Sequence, residues 1–193
     1  MTSTHRVIEG ALACVCLFAV QRAAAAPQAT GAINTVDARK TLNARVDRYA
    51  WLRARLEEPL PSLDARRDSW SLLLTRRYLA STIRTARPDA RVGHIFIPPV
   101  AKMFRTLITQ AIYDVEIEGL VQNSLQAPDF IVDVVVNEPV PAWALEEVPA
   151  VLRQRFPPLP TAIEYRIVNG SLVLWDMHAE IVIDALPNAF LPQ

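Results

Sequence analysis

The chain has 193 residues, 51% of them apolar and 21% charged, with 20 Lys and Arg against 20 Asp and Glu. That length fits one domain or two very small ones, and the apolar share excludes an intrinsically disordered chain. No apolar run reaches the ~18 residues of a membrane-spanning helix, which excludes a polytopic membrane protein.

The N-terminus has a short basic start ending at Arg6, then an apolar stretch from Gly10 to Val20. Gln21-Arg22 and the four alanines Ala23 to Ala26 follow. This is the layout of a secretory signal, with a small-residue A-x-A site at Ala24-Ala25-Ala26. Residues 1–26 are therefore read as a cleaved signal peptide and 27–193 as a single domain. The protein is expected to be exported, to the periplasm or the extracellular space. Both cysteines, Cys14 and Cys16, fall inside the signal, so the mature chain carries no disulfide and no thiolate chemistry.

The neutral total conceals two opposite halves. Residues 27–110 carry 13 Arg and two Lys against seven acids, a net +8, while 111–193 carry three Arg against 12 acids, a net −9. Either basic helices pack near acidic strands and cancel, or a basic surface meets an anionic partner.

In chain order, Asn34 or Thr35 caps a first helix, with Asp37 in its first turn. Leu42, Val46, Tyr49, Leu52 and Leu56 mark its buried stripe, and arginines fill much of the rest. Pro59 and Pro61 end it. A second helix is expected from about Asp64 to Ala86, with Leu72, Leu79, Ile83 and Ala86 inward, stopped by Pro88. His94 to Ile97 reads as short and extended. Pro98-Pro99 opens a third helix whose period runs from Val100 to Val115. Beyond Pro128 the alternation of Phe130, Val132, Val134 and Val136 predicts a strand over 129–136. A short helix is expected over 149–156. Asn169-Gly170 is a type I′ hairpin signal, pairing Ile167 with Leu172 and Tyr165 with Leu174. A third strand is expected over 180–184. The fold class is α+β: three N-terminal amphipathic helices on a small C-terminal antiparallel sheet, a hairpin plus a third strand. Residues 27–115 form the basic helical half and 129–186 the acidic sheet half.

Two blocks carry a resemblance. One is Ile83-Arg84-x-Ala86-Arg87-Pro88-x-Ala90, Gly93-x-Ile95-Phe96 and Pro99-Val100-Ala101-x-x-Phe104-Arg105. The other is Pro157-Pro158-Leu159-Pro160, Glu164-Tyr165-Arg166 and Leu172-Val173-Leu174-Trp175-Asp176 running on to Ile181-Val182-Ile183-Asp184. Together they resemble a group of uncharacterised exported bacterial proteins seen in proteobacteria and acidobacteria. The resemblance implies export and a shared fold, and no activity. An acidic residue often follows the glycine in that group, where His94 stands here.

Catalytic patterns are sparse. There is no G-x-S-x-G and no glycine cluster to cradle phosphate. Asp176-Met177-His178 places two candidate metal ligands, Asp176 and His178, in a turn, where a metal site needs three or four. The reading of that turn without a metal is a solvated one in which Asp176 bonds its own backbone. The leading expectation is a non-enzymatic interaction module, with no cofactor. Its partner is an envelope protein or an anionic envelope surface, and no nucleic acid is expected. The alternatives are an envelope-surface binder using an Arg-rich helical face and a metal-dependent hydrolase at Asp176 and His178. Candidate contact residues are Arg45, Arg48, Arg66, Arg67, Arg76, Arg77 and Trp175. Trp175 lies opposite the Leu174 face, either under a helix or open to a partner. Expression in an exporting bacterial host, followed by N-terminal sequencing of the secreted fraction, is expected to find a chain starting at Pro27. A secreted chain that keeps residues 1–26 would overturn the signal reading.

Overall fold

The structure, a computed structural model, describes residues 35–63, 68–113 and 132–190. Helix α1 (Thr35–Glu57) buries Ala38, Leu42, Val46, Tyr49 and Arg53. Those positions fall at i, i+4, i+8, i+11 and i+15, one continuous stripe. Arg53 therefore sits where the apolar pattern demands a core residue. Helix α2 (Ser69–Ala86) starts at Asp68, whose carboxylate accepts the Ser71 N–H. That is a conventional N-cap, and the expected start at Asp64 lies outside the described residues. Its buried positions are Thr75, Leu79 and Ile83, whereas Ala86, expected inward, is exposed. Helix α3 (Pro98–Tyr113) opens on the proline pair, where a missing N–H costs nothing. Its Phe104 is wholly buried and meets the rings of Phe96, Phe156 and Tyr165 at centroid distances of 5.3, 5.0 and 5.5 Å. Val115 lies outside the described residues.

The sheet is antiparallel with order β1-β2-β3-β4: β1 (Glu146–Glu147), β2 (Ile163–Val168), β3 (Ser171–Asp176) and β4 (Ile181–Leu186). The short helix α4 (Ala150–Arg155) links β1 to β2. Asn169 and Gly170 both take positive φ, 47° and 71°, which the type I′ turn requires. The turn sets the expected register, Ile167 opposite Leu172 and Tyr165 opposite Leu174. The edge strand β1 was not expected. The last strand extends two residues past its expected end at Asp184.

Three expectations are corrected. Val132 to Val136 form no strand; residues 129–131 lie outside the described residues. Backbone bonds to β4 come only just after it, where the Asn137 N–H donates to the Val182 carbonyl at 2.7 Å and the Val182 N–H to the Glu138 carbonyl at 3.0 Å. Asn137 then takes φ 64°, and Pro139 has no N–H to give, so pairing stops. Secondly, Trp175 is 7% exposed. It packs with Val140, Ala144, Val168, Val173, Val182 and Ala185 on the second sheet face, with Val132, Val134 and Leu145 against them. A coil segment with a 3-10 turn (Ala142–Ala144), not a helix, covers it, and Trp175 leaves the set of contact candidates. Thirdly, His94 to Ile97 is not extended. It is a bent turn folded around a buried carboxylate.

That carboxylate belongs to Asp184, which is fully buried. Leu174 pairs with Asp184 but Trp175 pairs with Val182, so Ile183 is an extra residue in β4. Such a bulge breaks strict alternation and lets both Ile183 and Asp184 face the main core. Asp184 Oδ1 accepts the Gly93 N–H at 2.7 Å; Oδ2 accepts those of Ile95 at 2.5 Å and Phe96 at 2.7 Å. The Ala185 N–H adds a fourth bond at 2.8 Å. Gly93 reaches this geometry at φ 82°, a value that a residue with Cβ adopts only under strain. Burial pushes the Asp184 carboxyl above its ordinary range, and the four N–H bonds pull it back. Asp184→Asn puts an amide donor against these N–H groups. It is expected to lower stability to urea by about 2–4 kcal/mol; an unchanged unfolding midpoint would refute this role.

Candidate functional site

The turn held by Asp184 forms one wall of a cleft, and α1 forms the other. The cleft has a volume of about 360 Å³ and is lined by Arg45, Arg48, Tyr49, Trp51 and Leu52 of α1 and by residues 86–90 with His94 and Ile95. Arg45 Nη1 donates to the His94 carbonyl at 2.6 Å, tying the walls together. Arg87 forms the floor. It caps the C-terminus of α2, where its N–H donates to the Arg84 carbonyl, and a cation is favoured at that end of a helix. Its guanidinium donates to Asn137 Oδ1 at 2.8 Å and to the Ile183 carbonyl at 3.2 Å. Asn137 Nδ2 in turn donates to the Arg87 carbonyl. The guanidinium also lies 4.8 Å from the centroid of the Tyr49 ring. Burial lowers the Arg87 pKa, opposed by Tyr49 and Asp184. Its positive charge is thus met by dipoles and a ring rather than by a carboxylate in direct contact.

Trp51 stands at the rim, 64% exposed, with the Arg55 guanidinium 5.5 Å from its ring centroid. Arg48 is exposed and makes no hydrogen bond or ion pair among the described residues. The lining therefore combines three arginines, one acid (Asp89) and an open indole.

Asp176 and His178 do not come together as ligands. Asp176 is fully buried, which corrects the solvated turn expected for it. It accepts the Tyr49 hydroxyl at 2.6 Å and the backbone N–H groups of His178 and Ala179 at 2.8 and 2.9 Å. Arg53 Nε lies 3.6 Å from it. The His178 ring turns the other way, with Nδ1 2.7 Å from Glu57 Oε1 and 2.9 Å from Arg53 Nη1. One ring nitrogen either donates to Glu57 or accepts from Arg53. Arg53 also bonds Glu57. Among the described residues there is no group of three or more His, Cys, Asp or Glu that could hold a metal.

The other candidates divide. Arg76 pairs with Glu180, and Arg84 pairs with Glu138 at 2.8 Å. With Arg53 and Asp176 these join the basic half to the acidic half. Arg77 is exposed and has no partner among the described residues; Arg66 and Arg67 lie outside them. Sequence reasoning left Arg53 and Arg87 unmarked. Arg53 was detectable as the i+4 successor of Tyr49 in the buried stripe, and Arg87 as the residue capping a helix that proline stops. Comparison with protein-family models, curated proteins and solved structures gives no match.

Tyr49 joins the two regions, with its ring under Arg87 and its hydroxyl on Asp176. Burial and then the Asp176 charge hold its hydroxyl pKa well above the usual value of 10.0. A raised folded pKa makes this contribution complete below pH 10.0 and lost as pH rises beyond it. Tyr49→Phe is expected to cost roughly 1–3 kcal/mol at neutral pH. Above pH ~10 the gap between wild type and variant should narrow. A gap that widens with pH, measured by urea unfolding at a series of alkaline pH values, would refute the bond.

Proposed function

We propose that this protein is a non-enzymatic interaction module, exported through its N-terminal signal, that engages an anionic partner with the outer faces of α1 and α2. The observation that carries the reading is the composition of those faces. On α2, Trp70, Leu74 and Tyr78 are 65, 48 and 61% exposed, and they fall at i, i+4 and i+8 with Arg77 beside them. On α1, Arg48, Trp51 and Arg55 fall at i, i+3 and i+7. Aromatic residues and arginine are the types enriched at protein contacts, while an isolated domain normally keeps such side chains from lining up in the open. The resemblance to exported bacterial proteins supports a working place in the periplasm or outside the cell.

A second reading makes the partner an anionic envelope surface. Arginines interleaved with tryptophan and tyrosine on a helix face suit an interfacial position, where the rings sit among headgroups and the cations meet anionic lipid. The α2 stripe favours it, since Trp70, Leu74 and Tyr78 would enter together.

Cosedimentation with vesicles containing anionic phospholipid separates the two. The surface reading expects sedimentation at low salt that falls off by ~0.5 M NaCl, as screening requires. It also expects at least about a tenfold loss of affinity in a Trp70→Ser, Arg77→Glu double variant. No sedimentation at low salt discards the envelope surface and leaves an acidic protein partner. Binding unaffected by both salt and the variant overturns the use of this face.

A further inference from the structure

The cleft between α1 and the turn at 87–95 differs in kind from the open helix faces. It is concave, the half-buried guanidinium of Arg87 lines it, and apolar side chains stand there beside the cationic Arg45 and Arg48. We propose that it is a specific site for a compact phosphate monoester carried on an apolar or ring-bearing body. The proposal rests on the reading of the protein as a binder of anionic partners, and it names the ligand class that the cleft would accept.

Charge decides the head group. Arg45, Arg48 and Arg87 stand against Asp89 among the lining residues, a net +2. Arg55 lies on the far side of the Trp51 ring, and Asp47 is exposed on α1 outside the lining. A planar carboxylate needs one guanidinium fork and brings a single charge. A phosphate monoester brings about −1.5 to −2 at neutral pH and three acceptor oxygens, which suits arginines arriving from two walls. The three differ in what they offer. Arg48 has no partner among the described residues. Arg45 spends Nη1 on the His94 carbonyl and retains its other donors. Arg87 uses one N–H of each terminal nitrogen on Asn137 and Ile183, so it is held in place and adds its charge to the cleft. Among the described residues Arg87 makes no ion pair, although the Asp184 charge acts on it from a distance, and a half-buried cation gains from an anion placed beside it.

Shape and polarity decide the rest. Tyr49, Leu52, Pro88 and Ile95 give the cleft its apolar lining, with the exposed indole of Trp51 beside them. A free inorganic anion would leave that surface wet. A body of about one ring fills a cleft of about 360 Å³, at the small end of ligand sites, and covers the open indole. The cleft is also prepared for use. Asp184 fixes the turn through three N–H bonds and Arg45 ties it to α1, so binding orders little that is not already ordered.

The test uses the purified protein in a non-phosphate buffer at pH 7.5, with calorimetry against phenyl phosphate, inorganic phosphate and benzoate. Phenyl phosphate is expected to bind at least tenfold more tightly than either of the others, and to weaken as NaCl rises from 0.05 to 0.5 M. Arg48→Ala should weaken it about tenfold. Trp51→Ala should weaken phenyl phosphate about fivefold and leave inorganic phosphate unchanged. Both are exposed rim positions, and circular dichroism confirms that the variants fold. Benzoate binding as tightly as phenyl phosphate overturns the dianion, and inorganic phosphate binding as tightly overturns the apolar body. No binding of phenyl phosphate at millimolar concentration, or binding that Arg48→Ala leaves intact, overturns the site. The Trp70→Ser, Arg77→Glu variant should bind phenyl phosphate as wild type does. Failure of the cleft with vesicle or protein binding retained therefore leaves the outer-face reading standing, and the converse result removes that reading alone.

Discussion

The Asp184 carboxylate organises this protein more than any single apolar contact. It sits fully buried on the core face of β4 and collects the N–H groups of Gly93, Ile95 and Phe96. Those donors belong to a turn that packs Ile95 and Phe96 into the main core, away from water. Without an acceptor each would be an unsatisfied buried group, and each such group costs about as much as a hydrogen bond is worth. One carboxylate with two oxygens answers all of them at once. The turn in turn delivers the Pro98 start of α3 and the His94 carbonyl that Arg45 holds. The position of α3, the wall of the cleft and the site of Arg87 thus descend from one side chain on the last strand.

Asp176 does the corresponding work at the end of β3. It faces the same core side, and its partners come from α1 and from the turn that follows it. Two buried acids at separate points of one sheet face therefore hold α1 and the turn that leads into α3. Both are satisfied mainly by hydrogen bonds, from backbone N–H groups and the Tyr49 hydroxyl, which is how a charge survives burial without an ideal ion pair. Tyr49 connects them, since it bonds Asp176 with its hydroxyl and supports Arg87 with its ring. The cleft floor is therefore coupled to the core through one aromatic residue.

The neutral total charge gains a structural meaning from these contacts. Arg53, Arg76 and Arg84 of the basic half meet Asp176, Glu180 and Glu138 of the acidic half. Part of the opposed charge is spent inside the fold, joining segments 54 residues apart at Arg84 and Glu138 and 104 apart at Arg76 and Glu180. What remains outward on the helices, at Arg48, Arg55 and Arg77, stands next to exposed aromatic rings. Internal pairing thus accounts for Arg53, Arg76 and Arg84.

Local pattern determined much of this protein. The helical periods of α1 and α3, the proline pair that opens α3, and the Asn169-Gly170 turn with its register are all decided by neighbours within a few residues. The α+β class follows from them. Local pattern misread Val132 to Val136, because alternation describes a half-buried segment whether or not it pairs, and Asn137 and Pro139 end the pairing. It left Asp184, Arg53 and Arg87 unmarked and placed Asp176 in a solvated turn or a metal site rather than in the core. Their places depend on partners 88 to 127 positions away, and no window along the chain contains both ends of such a contact. The bulge at Ile183, which turns Asp184 inward, arises only when β3 and β4 align. So the chain's own residues determined its helices and its hairpin. Only the tertiary structure decided which charges are buried, and hence where the cleft lies, because a charge enters the core only where distant groups stand ready to bond it.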